Sequence, residues 1–232
     1  MLIRFIKKAN IFFHNLYIFR FVSNKKKFTS IWKTNYWSDS ESLSGPGSNM
    51  EYTKNIRKEL PILFNKFNIK SIFDAPCGDF YWMKEVLKNA NVNYTGGDIV
   101  YELIELNNQK YKSTKINFIN FDLTIDKYPD SDLWICRDVL FHLSNKDIFL
   151  TLQNFIKSDI QYMLTTTHFT DSNWENIDIN SGSFRLIDLF KKPYLFPQNV
   201  LYRFNDYIEP HPAREMCLFS RKDIIDVVNK FK

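Results

Sequence analysis

Three carboxylates each follow a short apolar run in this chain: Asp74 in SIFD, Asp98 in YTGGD and Asp122 in NFDL. Acids at the tips of successive strands hold cations and accept hydrogen bonds from hydroxyls and amines. The loop after Asp74 reads APCGD and carries a single glycine, Gly78. A pyrophosphate cradle needs several glycines and free backbone amides at a helix start. Here Pro76 removes an amide donor, and Asp79 places negative charge where phosphates would sit. The loop therefore suits a cationic ligand without phosphate. Asp98, 24 residues beyond Asp74, stands near the offset at which an acid grips ribose hydroxyls. Asp122 is placed to accept from an exocyclic amine, with Ile99 and Leu123 as neighbouring contacts. S-adenosylmethionine, with its sulfonium, ammonium, ribose and adenine, fits that set.

A second group of residues could move a proton or bind an acceptor. The run DLWICRDVLFHL delivers Asp138 and His142, beside Arg137, which is expected to contact the cofactor, and TTTHF delivers His168. His142 lies four residues after Asp138, so on a helix following the fourth strand the two would share a face. An acid beside a histidine can raise its pKa and orient it as a general base. His168, at the end of a fifth strand, is a second base or a substrate ligand. Arg185 in SGSFR, with His211 and Arg214 in EPHPAR, belongs to segments expected to roof the pocket. If the acceptor is anionic, Arg185 is the expected clamp, since a guanidinium holds two oxygens at once. Trp37, Ser44 and Ser48 come from a turn-rich leading loop that is either a lid or a connector.

The elements that must position these residues follow from periodicity. A helical pattern spans Glu51 to Phe67, with Pro61 predicting a kink or a division. Strands are predicted at Lys70–Asp74, Val92–Ile99, Ile116–Asp122, Leu133–Cys136 and Ile160–Thr166. Helices are predicted at Tyr81–Ala90, Tyr101–Tyr111 and Asn145–Ile156. Past His168 a long Asn-, Asp-, Gly- and Pro-containing segment precedes strands at Val200–Tyr207 and Glu215–Phe219 and a helix from Ser220. This alternation predicts an α/β fold: a doubly wound, Rossmann-like, mostly parallel seven-stranded sheet with helices on both faces.

The totals narrow the function class. At 232 residues, 44% hydrophobic and 25% charged, the chain has globular values and can bury a full core. Its three cysteines lie far apart, which predicts a reduced, cytoplasmic protein with no metal site. Of the net charge of +5, residues 1–33 contribute +8 and the remainder −3. A mildly acidic body does not favour nucleic acid as a partner. Residues 1–33 read as a basic amphipathic helical arm, with Leu2, Ile6, Ala9, Phe13 and Leu16 at helical spacing. Residues 1–27 are expected to pack on the domain, meet a partner copy or touch an anionic membrane surface. Residues 34–50 form the lid or connector, and 51–232 the main domain.

Taken together, DAPCGDFYWM, YTGGDI, NFDL and ICRDVLFHL resemble the motif series of class I S-adenosylmethionine-dependent methyltransferases. The resemblance spans Glu51 to His168, in a version poorer in glycine than the family's usual loop. SESLSGPGS and NIDINSGSFRLIDLFKKPYLFP further resemble small bacterial methyltransferases of capsule and surface-polysaccharide gene clusters. The resemblance implies methyl transfer to a small polar acceptor, such as a sugar hydroxyl or a phosphate or phosphoramidate oxygen. The strand-four motif CRDV lacks the Asn/Asp-Pro-Pro-aromatic series of nucleic-acid amino-methylation. Alternatives are a small-molecule N-methyltransferase, an RNA methyltransferase using the basic arm, and a membrane-associated interaction protein on a decayed fold.

Overall fold

The computed structural model describes residues 22–37 and 39–231. Of the helical arm expected over residues 1–33, residues 1–21 lie outside them, and with these most of the segment 1–27 of which contacts were expected. The described chain begins with helix α1 (Asn24–Lys33) and a loop carrying a single 3-10 turn, Pro46–Ser48. Helix α2 (Lys54–Lys66) follows and runs unbroken through Pro61. Strands β1 (Ser71–Asp74), β2 (Asn93–Asp98) and β3 (Ile116–Asn120) alternate with α3 (Met83–Leu87) and α4 (Tyr101–Tyr111). Then come β4 (Leu133–Cys136), α5 (Asn145–Phe155), β5 (Tyr162–His168), β6 (Tyr202–Asn205), β7 (Arg214–Ser220) and α6 (Arg221–Asn229).

The seven strands form one sheet in the order β3-β2-β1-β4-β5-β7-β6. β1 to β5 pair in parallel, whereas β7 is antiparallel to both β5 and β6. The sheet is thus mixed: mostly parallel, as expected, with β7 alone running antiparallel to its neighbours. The cause is the connection: β6 reaches β7 through residues 206–213, too short for a crossover that would return the chain in parallel.

Strand side chains alternate between the faces with a period of two. Phe73, Trp134, Met163, Cys217 and Phe219 enter one core with Ile148, Leu152 and Phe155 of α5 and Ile224 and Val227 of α6. Ile72, Leu133, Ile135, Leu164, Met216 and Leu218 enter the other, against Ile56, Leu60, Leu63 and Phe64 of α2. A sheet buried on both faces reads as the near-continuous apolar runs of its strands. Burial at this scale, at roughly 25 cal/mol per Å² of apolar surface, fixes the sheet and hence the positions of its strand tips.

Residues 169–200 contain no regular element, yet they are tied down. The Ile187 carbonyl accepts the His168 N–H at 2.8 Å, and Leu189 donates its N–H to the Thr167 hydroxyl at 3.0 Å. Ile187, Leu189 and Tyr194 are fully buried, so this segment is part of the core.

Candidate active site

Strand order reverses between β1 and β4, and ligands of open α/β sheets bind at that point, outside the carboxyl ends of the strands. A cleft of ≈ 300 Å³ lies there. Every neighbouring strand tip supplies it with a polar side chain. Asp74 ends β1, Asp98 ends β2 and Asp122 follows β3, while Arg137 and Asp138 follow β4 and His168 ends β5. Three acids far apart in sequence are thereby brought to one cavity.

In one half of the cleft, Asp74 and Asp98 are buried carboxylates. Burial pushes Asp74 up to about 7, although the Tyr94 hydroxyl donates to it at 2.8 Å. Burial likewise raises Asp98 to about 6, against the pull of backbone N–H groups. Those donors are Gly78 at 3.1 Å and Val100 at 3.0 Å, so Asp98 also holds the glycine loop in place. Gly78 has φ +56° and faces Ser44 so closely that a Cβ would occupy the position of its hydroxyl. Pro76, Ile99 and Leu123 line the same cavity. Asp122 spends one carboxylate oxygen on Thr124, accepting its N–H at 2.9 Å and its hydroxyl at 2.6 Å. Among the described residues no donor reaches its other oxygen.

Asp79 is placed elsewhere than expected. It does not line the cleft, so it does not face the cationic parts of a ligand. Its carboxylate accepts the Ser42 hydroxyl at 3.0 Å and the Leu43 N–H at 2.9 Å, while its own N–H donates to the Ser44 hydroxyl at 3.0 Å. It fastens the leading loop to the glycine loop. That leading loop is a strap across the cleft, with Trp37, Ser44 and Ser48 all in the lining. Asp39 ties it internally, accepting N–H groups from Glu41 and Ser42 at 2.8 and 3.0 Å. The strap passes close over Asp138: a Cβ on Gly47 would stand 2.6 Å from that carboxylate.

Helix α1 supplies a wall that the sequence reading missed. Asn24, Phe28 and Trp32, at i, i+4 and i+8, face the cleft, and Lys33 pairs with Glu102 of α4 at 2.6 Å. That spacing was the available signal. It was obscured because Lys25, Lys26, Lys27 and Lys33 make the segment read as the end of a basic arm.

In the other half, two histidines flank Phe141, with ring centroids at 4.6 Å for His142 and 5.3 Å for His168. His142 belongs to a 3-10 turn, Leu140–His142, and not to a helix shared with Asp138. Asp138 itself has φ +57°, a left-handed conformation that aspartate tolerates better than most residues. Consequently Asp138 does not orient His142. The Ser183 carbonyl does, at 2.8 Å from Nδ1. A carbonyl only accepts, so Nδ1 carries the proton and Nε2 keeps its lone pair. Burial lowers the pKa of His142 despite that bond, leaving a neutral imidazole.

Asp138 is instead part of a charge-balanced quartet. Arg214 donates to it at 2.8 Å, and Arg137 donates to buried Asp206 at 2.8 Å. Arg137 also lies 3.4 Å from Asp138, and Arg214 lies 3.6 Å from Asp206. The Arg214 guanidinium sits over the Tyr52 ring at 4.7 Å, and His211 meets the same ring edge-on at 5.1 Å. Ion pairs this buried are held by mutual hydrogen bonds and leave little charge for a ligand. Arg185 is not a clamp at all. It is buried outside the cleft, donates to the carbonyls of Ile177 and Leu143, and meets the Tyr194 hydroxyl at 2.9 Å. Its task is to fix residues 177–194 against α5, and its order in SGSFR could not reveal which way it turns.

No protein-family model and no curated sequence matches the chain. Solved structures do. An S-adenosylmethionine-dependent methyltransferase from Leishmania major superposes with a TM-score of 0.63, at 13% identity, over 85% of this chain and 83% of that one. Human N-acetylserotonin methyltransferase, solved with S-adenosylmethionine, gives 0.59 at 14% identity over 86% of this chain. This is the fold of the class I S-adenosylmethionine-dependent methyltransferases. The N-methyltransferase NodS from Bradyrhizobium japonicum shares it, with a TM-score of 0.51 and 10% identity over 74% of this chain and 97% of that one. The match covers 60% of the human enzyme's length. No helix among the described residues is long and apolar enough to cross a membrane.

Proposed function

We propose that the protein is an S-adenosylmethionine-dependent methyltransferase acting on a hydroxyl of a small uncharged acceptor. The observation that carries this reading is the meeting of Asp74, Asp98 and Asp122 in one cleft at the switch point of a methyltransferase fold. The donor set fits the cofactor: carboxylates and no lysine among the described lining residues, which suits a cation and not a phosphate. When bound, S-adenosylmethionine supplies a methyl group already activated by its sulfonium. Asp74 would hold the ammonium, Asp98 the ribose hydroxyls and Asp122 the adenine amine, on its open oxygen. Across the cleft, His142 Nε2 takes the acceptor's hydroxyl proton as the oxygen is methylated. Trp37, 5.3 Å from the His142 ring, covers that point from the strap.

The balance of charge selects among acceptors. Arg137 and Arg214 are the only arginines among the described lining residues, and both are committed to Asp138 and Asp206. An anionic phosphate or phosphoramidate would find no free guanidinium or ammonium among the described lining residues, whereas a sugar hydroxyl needs only a base. A place in surface-polysaccharide synthesis belongs to this proposal and rests on the resemblance of the flanking segments alone.

Calorimetric titration tests the cofactor. S-adenosylhomocysteine is expected to bind with micromolar affinity while ATP and NAD do not; no heat with S-adenosylhomocysteine would overturn the reading. The pH dependence has a definite sign. An ammonium binds ionised Asp74, so affinity should fall as the pH drops from 8 to 5, roughly hundredfold for a carboxyl raised to about 7. Stability of the free protein should move the other way. Both acids bind protons more tightly folded than unfolded, so their contribution is fully present below about pH 4 and is lost as the pH rises through 6 and 7. Affinity measured across this range, with melting of the free protein alongside, checks both trends.

A further inference from the structure

His168 is 3% exposed, and its ring is fixed by residue 187. The Ile187 N–H lies 3.2 Å from Nδ1 and can only donate, so Nδ1 accepts. The Ile187 carbonyl is 3.3 Å from the same nitrogen, but it is satisfied by the His168 main-chain N–H at 2.8 Å. The Ile187 N–H, by contrast, has no other acceptor among the described residues and would be left unpaired if Nδ1 carried the proton. The imidazole proton therefore rests on Nε2. That nitrogen has no protein partner among the described residues, and His168 lines the cleft. Burial, helped by Arg214, pushes the His168 pKa down to about 4, which keeps the ring neutral and its Nε2 a donor.

Two histidines that line one cleft thus offer complementary groups, a lone pair from His142 and an N–H from His168. Both also neighbour Phe184, with centroids at 5.8 and 6.4 Å, and this ring is 56% exposed beside the cleft. Resting on the reading of His142 as base, we propose that the acceptor carries a vicinal diol, one hydroxyl giving its proton to His142 and its neighbour accepting from His168. Phe184 and Trp37 supply apolar surfaces for the ring that bears the two oxygens. His168 is then a specificity residue: an acceptor without the neighbouring oxygen leaves its buried donor unpaired, the situation by which polar sites reject deoxy analogues most strongly.

The probes are methyl hexopyranosides, monodeoxy counterparts lacking one ring hydroxyl, and hexose phosphates, each assayed with S-adenosylmethionine. The wild-type protein is expected to methylate a diol-bearing glycoside with a KM at least about tenfold below that of the analogue lacking the adjacent hydroxyl. His168→Leu should narrow that gap to near unity by raising the KM for the diol, and His168→Gln, which restores an N–H, should reopen part of it. If His168→Leu does not fold, the paired acceptors on the wild-type protein decide alone. Equal KM values for the pair, turnover of phosphates only, or no turnover of any probe despite S-adenosylhomocysteine binding would overturn the inference. Loss of S-adenosylhomocysteine binding itself would instead defeat the methyltransferase reading on which it rests.

Discussion

Asp98→Ala is expected to abolish S-adenosylhomocysteine binding, raising Kd by roughly 10² to 10⁴-fold. The figure follows from two charge-assisted hydrogen bonds to ribose hydroxyls, each worth about 1.5–3 kcal/mol. The same carboxylate accepts from Gly78 and Val100, so its removal also frees the loop that should border the cofactor. Asp98→Asn separates the two roles: it keeps an acceptor oxygen and loses the charge. Its Kd should lie between those of the wild type and the alanine variant. Circular dichroism melting verifies that both variants fold, and undiminished affinity in the alanine variant would remove Asp98 from the site.

The second large effect is on rate. His142→Ala should lower kcat by about 10²–10⁴, the usual contribution of a positioned general base, while S-adenosylhomocysteine affinity stays near the wild-type value. The pH profile adds an independent reading. Because burial holds His142 below its ordinary pKa, the wild-type rate should decline only on the acid side of the usual histidine range, as Nε2 becomes protonated. That limb should vanish in the variant. A loss smaller than tenfold, or an unchanged acid limb, would mean that another group takes the proton.

Much of the fold was legible because periodicity reports burial directly. α4 and β4 fall at Tyr101–Tyr111 and Leu133–Cys136, as the spacing predicts, since each is bounded by polar or turn residues. The direction of β7 was not legible, because an apolar alternation is the same read either way along a strand. The site was readable where side chains end strands: Asp74, Asp98 and His168 are placed by the pleat and the register, while Asp122 lies two residues past the end of β3. It was unreadable where loops decide direction. Arg185 and Asp79 are chemically suited to bind ligand, but nearby carbonyls in one case and serines in the other engage them first. His142, expected on a helix face shared with Asp138, sits in a 3-10 turn and takes its orientation from Ser183, 41 positions away.

The clasp between Asp79 and the serines of the leading loop has a kinetic consequence. Residues 42–44 are fastened to the very turn that borders the proposed cofactor pocket, so entry and escape of a molecule as long as S-adenosylmethionine require the clasp to open. Exchange would then be timed by the lifetime of a few hydrogen bonds and not by diffusion to an open mouth.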